Sequence, residues 1–154
     1  MVMMKNKMIE QLNELIKLDL DAIGSYDEAI QEISLEPVRA KLREFQNDHR
    51  NHVTKLSAAV QALGGKAPER GSAKGFFVKQ LTNIRAKTGN EGAIRAMQAN
   101  ETHMNSVYAK AAKEDFTPDL RSLVEHNFRD EQKHLAYVQQ CVTNRVWEEA
   151  AAHP

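Results

Sequence analysis

Apolar residues recur at alternating steps of three and four along four stretches of the chain. In the first stretch they stand at Ile9, Leu12, Ile16, Ile23, Tyr26, Ile30 and Ile33. This spacing places side chains on one face of an α-helix and is typical of helices that pack together in a bundle. The sequence therefore predicts four long helices, at about residues 5–34, 37–63, 90–115 and 118–148.

Helix-breaking residues mark the ends of these stretches. Pro37 suits the first turn of the second long helix, Gly64 ends it, and Thr117 and Pro118 suit the cap and first position of the fourth. Asn90 is a candidate cap for the third. The first and last connections are therefore short, which predicts two antiparallel helical hairpins.

The middle connection is much longer than an antiparallel hairpin needs. It covers roughly residues 64 to 89, or about 25 residues, and includes a predicted short helix at about 73–87. A connection of this length suits a crossover along the bundle, with the second and third long helices parallel. The predicted fold is thus a single all-α domain, residues 1–154, built as a four-helix bundle.

The two hairpins resemble each other at an offset of 82 residues. The equivalent pairs are Asp19 and Glu101, Tyr26 and Tyr108, Asp48 and Asp130, His49 and Glu131, and His52 and His134. Two hairpins related by a pseudo-twofold axis are the simplest explanation.

Six polar residues stand at core-facing positions where apolar side chains are expected. They are Asp19, His49, His52, Glu101, Glu131 and His134. A buried carboxylate without a partner costs several kcal/mol, so something must compensate these side chains. Asp19 and His52 stand at similar separations from the first turn, roughly 25 Å at ~1.5 Å per residue. Glu101 and His134 repeat that separation around the second turn, so we expect all six at one level of the bundle.

This arrangement of carboxylates and imidazoles is what a metal ion requires. Residues three apart share a helix face, so Glu131 and His134 can reach one site, as can His49 and His52. An alternative needs no metal: Asp19 pairs with His52 and Glu101 with His134, and the pairs fix the helix register. The sequence also leaves open whether His49 or Asp48 faces the site.

Composition and charge narrow the classes of partner. The 154 residues carry 21 basic and 21 acidic side chains, and this balance argues against a nucleic acid or an anionic membrane surface. There is no long apolar run, and residues 1–5 lack the pattern of a secretory signal. The lone cysteine, Cys141, cannot form an intrachain disulfide. We therefore expect a cytoplasmic protein.

The helix patterns resemble those of the ferritin-like di-iron carboxylate proteins, over about residues 5 to 148. That class uses one glutamate from each of two helices and Glu-x-x-His from the other two. Glu131-Gln132-Lys133-His134 matches, and a tyrosine follows Asp19 and Glu101 by seven residues, as in ferritins and bacterioferritins. The opening Leu12-Asn13-Glu14-Leu15-Ile16 is most similar to an uncharacterised bacterial branch of small ferritin-like proteins.

The chain departs from that family at two positions. Asp19 replaces a glutamate, and His49 replaces the glutamate of the first Glu-x-x-His, so Glu131 alone remains to bridge two metals. The resemblance implies one or two iron ions at the six residues, with zinc or manganese as alternatives. An asymmetric pair or a single ion becomes plausible.

Two functions follow as hypotheses. The first is a metal-dependent protein with oxygen or peroxide chemistry, ferroxidase-like and connected with stress, as the resemblance implies. The second is a non-enzymatic stress or interaction module with a degenerate or empty site, whose repeat geometry favours a homodimer. The sequence does not decide whether the site is catalytic.

Overall fold

The computed structural model describes residues 3–72, 76–86 and 89–148, and these residues form helices, turns and loops without any strand. The five main helices are α1 Lys5–Glu32, α2 Glu36–Ala62, α3 Phe76–Arg85, α4 Gly89–Ala111 and α5 Pro118–Thr143. A further helical turn covers residues 146–148. The all-helical prediction is therefore confirmed.

The four long helices pack against one another in a closed ring. α1 contacts α2 and α4, and α5 contacts α4 and α2. The backbone N–H of Ser34 donates to Asn90 Oδ1 at 2.8 Å, and that of Met3 donates to the Asp115 carbonyl at 2.8 Å. The end of α1 thus meets the start of α4, and the start of α1 meets the end of α4. α1 and α4 are antiparallel, so α2 and α4 run parallel.

The crossover is held against the side of α1 and α4. α3 packs on both helices and buries Phe77 and Ile84. Upstream, the backbone N–H of Ser72 donates to Asp21 of α1 at 3.1 Å. The predicted short helix is present over Phe76–Arg85, while residues 73–75 and residue 87 of that prediction lie outside the described residues.

The apolar core consists of two clusters with a polar layer between them. One cluster is built around Leu12, Ile16, Leu56 and Met104, and the other around Tyr26, Phe45, Met97 and Val138. Burying a side chain of this size contributes about 1.5–3 kcal/mol. The clusters therefore supply the stability that allows polar groups between them.

Several predicted helix ends and caps need correction. α4 ends at Ala111 instead of 115, because the chain turns so that Phe116 is buried. α5 ends at Thr143 instead of 148, before Arg145, which has a positive φ of 46°. Thr117 makes no side-chain capping bond, and Asn90 lies inside α4, where it binds Ser34 instead of capping. Gly64 has the left-handed conformation predicted for it, with φ 83°.

No helix in the described part of the chain has the length and apolar character needed to cross a lipid bilayer.

Candidate metal centre

The six predicted polar residues meet in the space between the four long helices. α1 provides Asp19, α2 provides His49 and His52, α4 provides Glu101, and α5 provides Glu131 and His134. Each side chain is at most 2% exposed. The predicted convergence at one level of the core is therefore present in the structure.

Two overlapping groups of these residues could hold a metal ion. In each group, one donor atom per residue lies within 4.8 Å of the others. The first group is Asp19, His49, His52 and Glu131; the second is His49, Glu101, Glu131 and His134. His49 and Glu131 belong to both. We call the two groups the Asp19 side and the Glu101 side.

On the Asp19 side, Asp19 is hydrogen-bonded to both histidines of α2 and to a tyrosine of α4. Asp19 Oδ1 accepts from His49 Nδ1 at 2.7 Å and lies 3.1 Å from His52 Nδ1, and Oδ2 accepts from the Tyr108 hydroxyl at 2.5 Å. Burial alone would raise the pKa of Asp19, but the bonds from the two histidines outweigh it and lower the pKa below its ordinary value. Asp19 is thus a satisfied carboxylate.

On the Glu101 side, several donor atoms have no partner. Glu101 Oε1 accepts from the Tyr26 hydroxyl at 2.5 Å, but His134 Nδ1 lies 3.8 Å from Glu101 Oε2 and 3.6 Å from Glu131 Oε2. Those distances are too long for hydrogen bonds. Within the described residues, the buried atoms left without a bond here are His49 Nε2, Glu101 Oε2, both carboxylate oxygens of Glu131, and His134 Nδ1.

Asp48 and Asp130 lie outside the centre, and each contacts the last histidine of one motif, Glu131-x-x-His134 or His49-x-x-His52. His134 Nε2 lies 2.8 Å from Asp48 Oδ2, and His52 Nε2 lies 2.9 Å from Asp130 Oδ2. Asp48 therefore lies outside the centre, and His49 is the residue of this pair that faces the site. Burial acts to raise the pKa of Asp48, but His134 and Lys133 lower it to about 2.

The buried charges of the centre act on the pKa values of its own residues. Burial would lower the pKa of His49, yet the carboxylates of Glu131 and Asp19 raise it well above the ordinary value. Burial raises the pKa of Glu131 well above that of an exposed carboxyl, and the charges of Glu101 and Asp19 act in the same direction against that of His49. The carboxylates around His49 thus favour the charged form of its imidazole.

Two tyrosines join the hairpins across the centre. Tyr26 of α1 donates to Glu101 of α4, and Tyr108 of α4 donates to Asp19 of α1. Both tyrosines are fully buried, and each hydroxyl has its partner at the centre. The outer roles of Asp48 and Asp130 were not predicted, although their equivalence at the offset of 82 residues was a signal for them.

Two histidines lie outside the centre. His126 is exposed, whereas His103 is partly buried and its ring lies 5.7 Å from that of Phe77. The crossover helix covers His103, and this cover could not be read from the periodicity of α4 alone.

Comparison with protein families gives one match. The model of a family described as "Domain of unknown function (DUF2383)" matches residues 7–114, more than two thirds of the chain. The matched span ends before α5, which provides Glu131 and His134. A search of curated proteins finds no match. The length of the family match shows that the chain belongs to the DUF2383 family.

Proposed function

We propose that this protein is a ferritin-like four-helix bundle that binds iron at its centre and serves oxygen or peroxide chemistry in a cytoplasmic stress response. The fold expectation is supported by four long helices packed in a ring, with a crossover that makes α2 and α4 parallel. Zinc and manganese are the alternative ions for the same residues.

One observation carries the proposal of a metal. Five buried nitrogen and oxygen atoms of His49, Glu101, Glu131 and His134 have no hydrogen-bond partner in the described part of the chain. Leaving such a group unsatisfied costs about 1–3 kcal/mol, and more for a charged one. A divalent cation would satisfy these atoms together, because carboxylate oxygens and imidazole nitrogens are suitable ligands for it.

The burial of the centre favours a small molecule as the reactant. The six side chains are between 0% and 2% exposed, so an organic substrate could reach them only after a rearrangement of the helices. Iron held by these residues would supply redox chemistry toward O₂ or H₂O₂. The protein's own contribution would be to hold the ion, keep water out, and position the Tyr26 and Tyr108 hydroxyls against the carboxylates.

Glu131→Ala provides the test, because Glu131 belongs to both groups of donors. Tag-free protein is loaded anaerobically with Fe(II), freed of loose metal, and submitted to elemental analysis. We expect one to two ions per chain in the wild type and loss of that metal in the variant, with unchanged helical content by circular dichroism. Glu91→Ala, which removes an exposed acid of α4, is the control that should keep its metal. Equal metal in Glu131→Ala and the wild type would contradict the proposal.

A second candidate function is a non-enzymatic stress or interaction module with an empty site. The Asp19 side favours it, because Asp19 is already bound by His49, His52 and Tyr108 without any ion. The same explanation does not extend to the Glu101 side, where the Glu101–His134 distance of 3.8 Å is not a hydrogen bond. A protein that folds cooperatively and retains no metal after loading would support this candidate.

A further inference from the structure

Resting on the proposed metal centre, we infer that its two sides are not equivalent. The first ion binds on the Glu101 side, to Glu101, Glu131, His134 and Nε2 of His49. Asp19 is then a positioning residue that orients the His49 ring, instead of being a ligand of that ion.

The open donor atoms are the first argument. Two of the five unbonded donor atoms at the centre, Glu101 Oε2 and His134 Nδ1, belong to the Glu101 side alone, and the other three belong to His49 and Glu131, which both sides share. On the Asp19 side, Asp19 has three hydrogen-bonding partners, and both ring nitrogens of His52 face carboxylate oxygens, at 3.1 Å and 2.9 Å. An ion on the Asp19 side must displace several existing bonds, whereas one on the Glu101 side displaces none of these.

The distances between the donors are the second argument. Two ligands at about 2.0–2.2 Å from one four-coordinate ion lie roughly 3.3–3.6 Å apart. His134 Nδ1 is 3.6 Å from Glu131 Oε2 and 3.8 Å from Glu101 Oε2, and His49 Nε2 is 3.6 Å from Glu101 Oε1. These separations exceed hydrogen-bond length and are close to those of ligands that share an ion. Glu131 Oε1 also lies 3.4 Å from Nδ1 of His49 and from Nδ1 of His52, but both of those nitrogens already bond to Asp19.

The orientation of the histidines is the third argument. Ligating histidines usually donate their second ring N–H to a carboxylate, which fixes the tautomer and the ring. His134 does so from Nε2 to Asp48, leaving Nδ1 open, and His49 does so from Nδ1 to Asp19, leaving Nε2 open. Asp19 therefore orients the His49 ring in the same way that Asp48 orients the His134 ring.

A matched pair of repeat-equivalent histidines provides the test. Metal-free wild type, His134→Gln and His52→Gln are titrated calorimetrically with Zn²⁺, and circular dichroism verifies that each is folded. Removing an outer partner alone weakens binding by about 10–100-fold. We expect the loss of a ligand in His134→Gln to exceed 100-fold, and His52→Gln to keep an affinity at least tenfold higher than that of His134→Gln.

A second pair keeps the test valid if either glutamine variant fails to fold. Glu101→Gln should abolish the tight binding, whereas Asp19→Asn should weaken it by about 10–100-fold, as for a partner of a ligand, with the ion still located beside Glu101. Equal losses within both pairs, or a first ion located between Asp19 and His52, would overturn this inference and leave the proposed function standing. A wild type that binds no Zn²⁺ or Fe(II) would instead overturn both.

Discussion

The two helical hairpins, α1–α2 and α4–α5, form the same pattern of hydrogen bonds on the two sides of the centre. Each has an acid on its first helix that accepts from a tyrosine of the other hairpin, and a histidine on its second helix held by an aspartate of the other. The hairpins differ most at one equivalent pair: α2 has His49 where α5 has Glu131. His49 Nδ1 bonds to Asp19, whereas the carboxylate oxygens of Glu131 have no partner among the described residues.

This one difference explains the unequal hydrogen bonding. The N–H groups of His49 and His52 satisfy Asp19, while Glu131 adds two more acceptor oxygens beside Glu101. A pseudo-symmetric scaffold therefore contains one side whose aspartate is fully hydrogen-bonded and one side where buried nitrogen and oxygen atoms have no partner among the described residues. The identity of a single buried residue decides this, and the fold does not.

Restoring the symmetry should have the largest effect. His49→Glu gives α2 the Glu-x-x-His pattern of α5 and replaces an imidazole bonded to the buried Asp19 with a further carboxylate. Removing one partner of a buried charge pair costs about 3–5 kcal/mol, so the metal-free variant should be less stable by that order. With Fe(II) it should bind two ions per chain and recover much of that loss. Urea denaturation with and without Fe(II), together with elemental analysis, measures both. An unchanged stability without metal would contradict the role given to His49.

Breaking the outer support should distinguish the two histidines. Asp48→Ala removes the partner of His134, and we expect metal affinity to fall by about 10–100-fold. Asp130→Ala removes the partner of His52 and should have a smaller effect, because His52 is not among the residues assigned to the first ion. Zn²⁺ titrations of both variants make the comparison. A larger loss in Asp130→Ala would mean that the first ion lies on the other side.

Removing the tyrosine hydroxyls should give the smallest difference. Tyr26→Phe takes away the hydrogen bond that the Glu101 carboxylate accepts within the described residues, and an unsatisfied buried acceptor costs about 1–3 kcal/mol. Tyr108→Phe should cost about 1 kcal/mol, because Asp19 keeps its bonds from two histidines. Urea denaturation of the metal-free variants is the measurement. The reverse order of stabilities would show that Asp19 depends more on its tyrosine than Glu101 does.

Much of the architecture could be predicted because it follows from periodicity. The three–four spacing predicted the four long helices, and the similar distances of Asp19, His52, Glu101 and His134 from the two turns predicted that their side chains meet. Pro37 predicted where α2 begins, because proline suits the first turn of a helix. Gly64 predicted where α2 ends, because glycine readily adopts the left-handed conformation found there.

What could not be predicted depends on contacts between helices. The early end of α4 follows from the burial of Phe116, and the partner of Asn90 is Ser34 from another helix. Spacing also could not choose between Asp48 and His49, which are adjacent in sequence. Only the packing of α2 against α5 shows that Asp48 reaches His134 from outside while His49 points inward.

The most direct test of the metal centre is anomalous diffraction from wild-type crystals grown from metal-free protein and soaked with one equivalent of Zn²⁺. We predict one anomalous peak per chain, bounded by Glu101, Glu131, His134 and the Nε2 side of His49. Crystals that show no peak among these residues or among Asp19 and His52 would contradict the account, and the buried polar layer would then be a self-paired element of the fold.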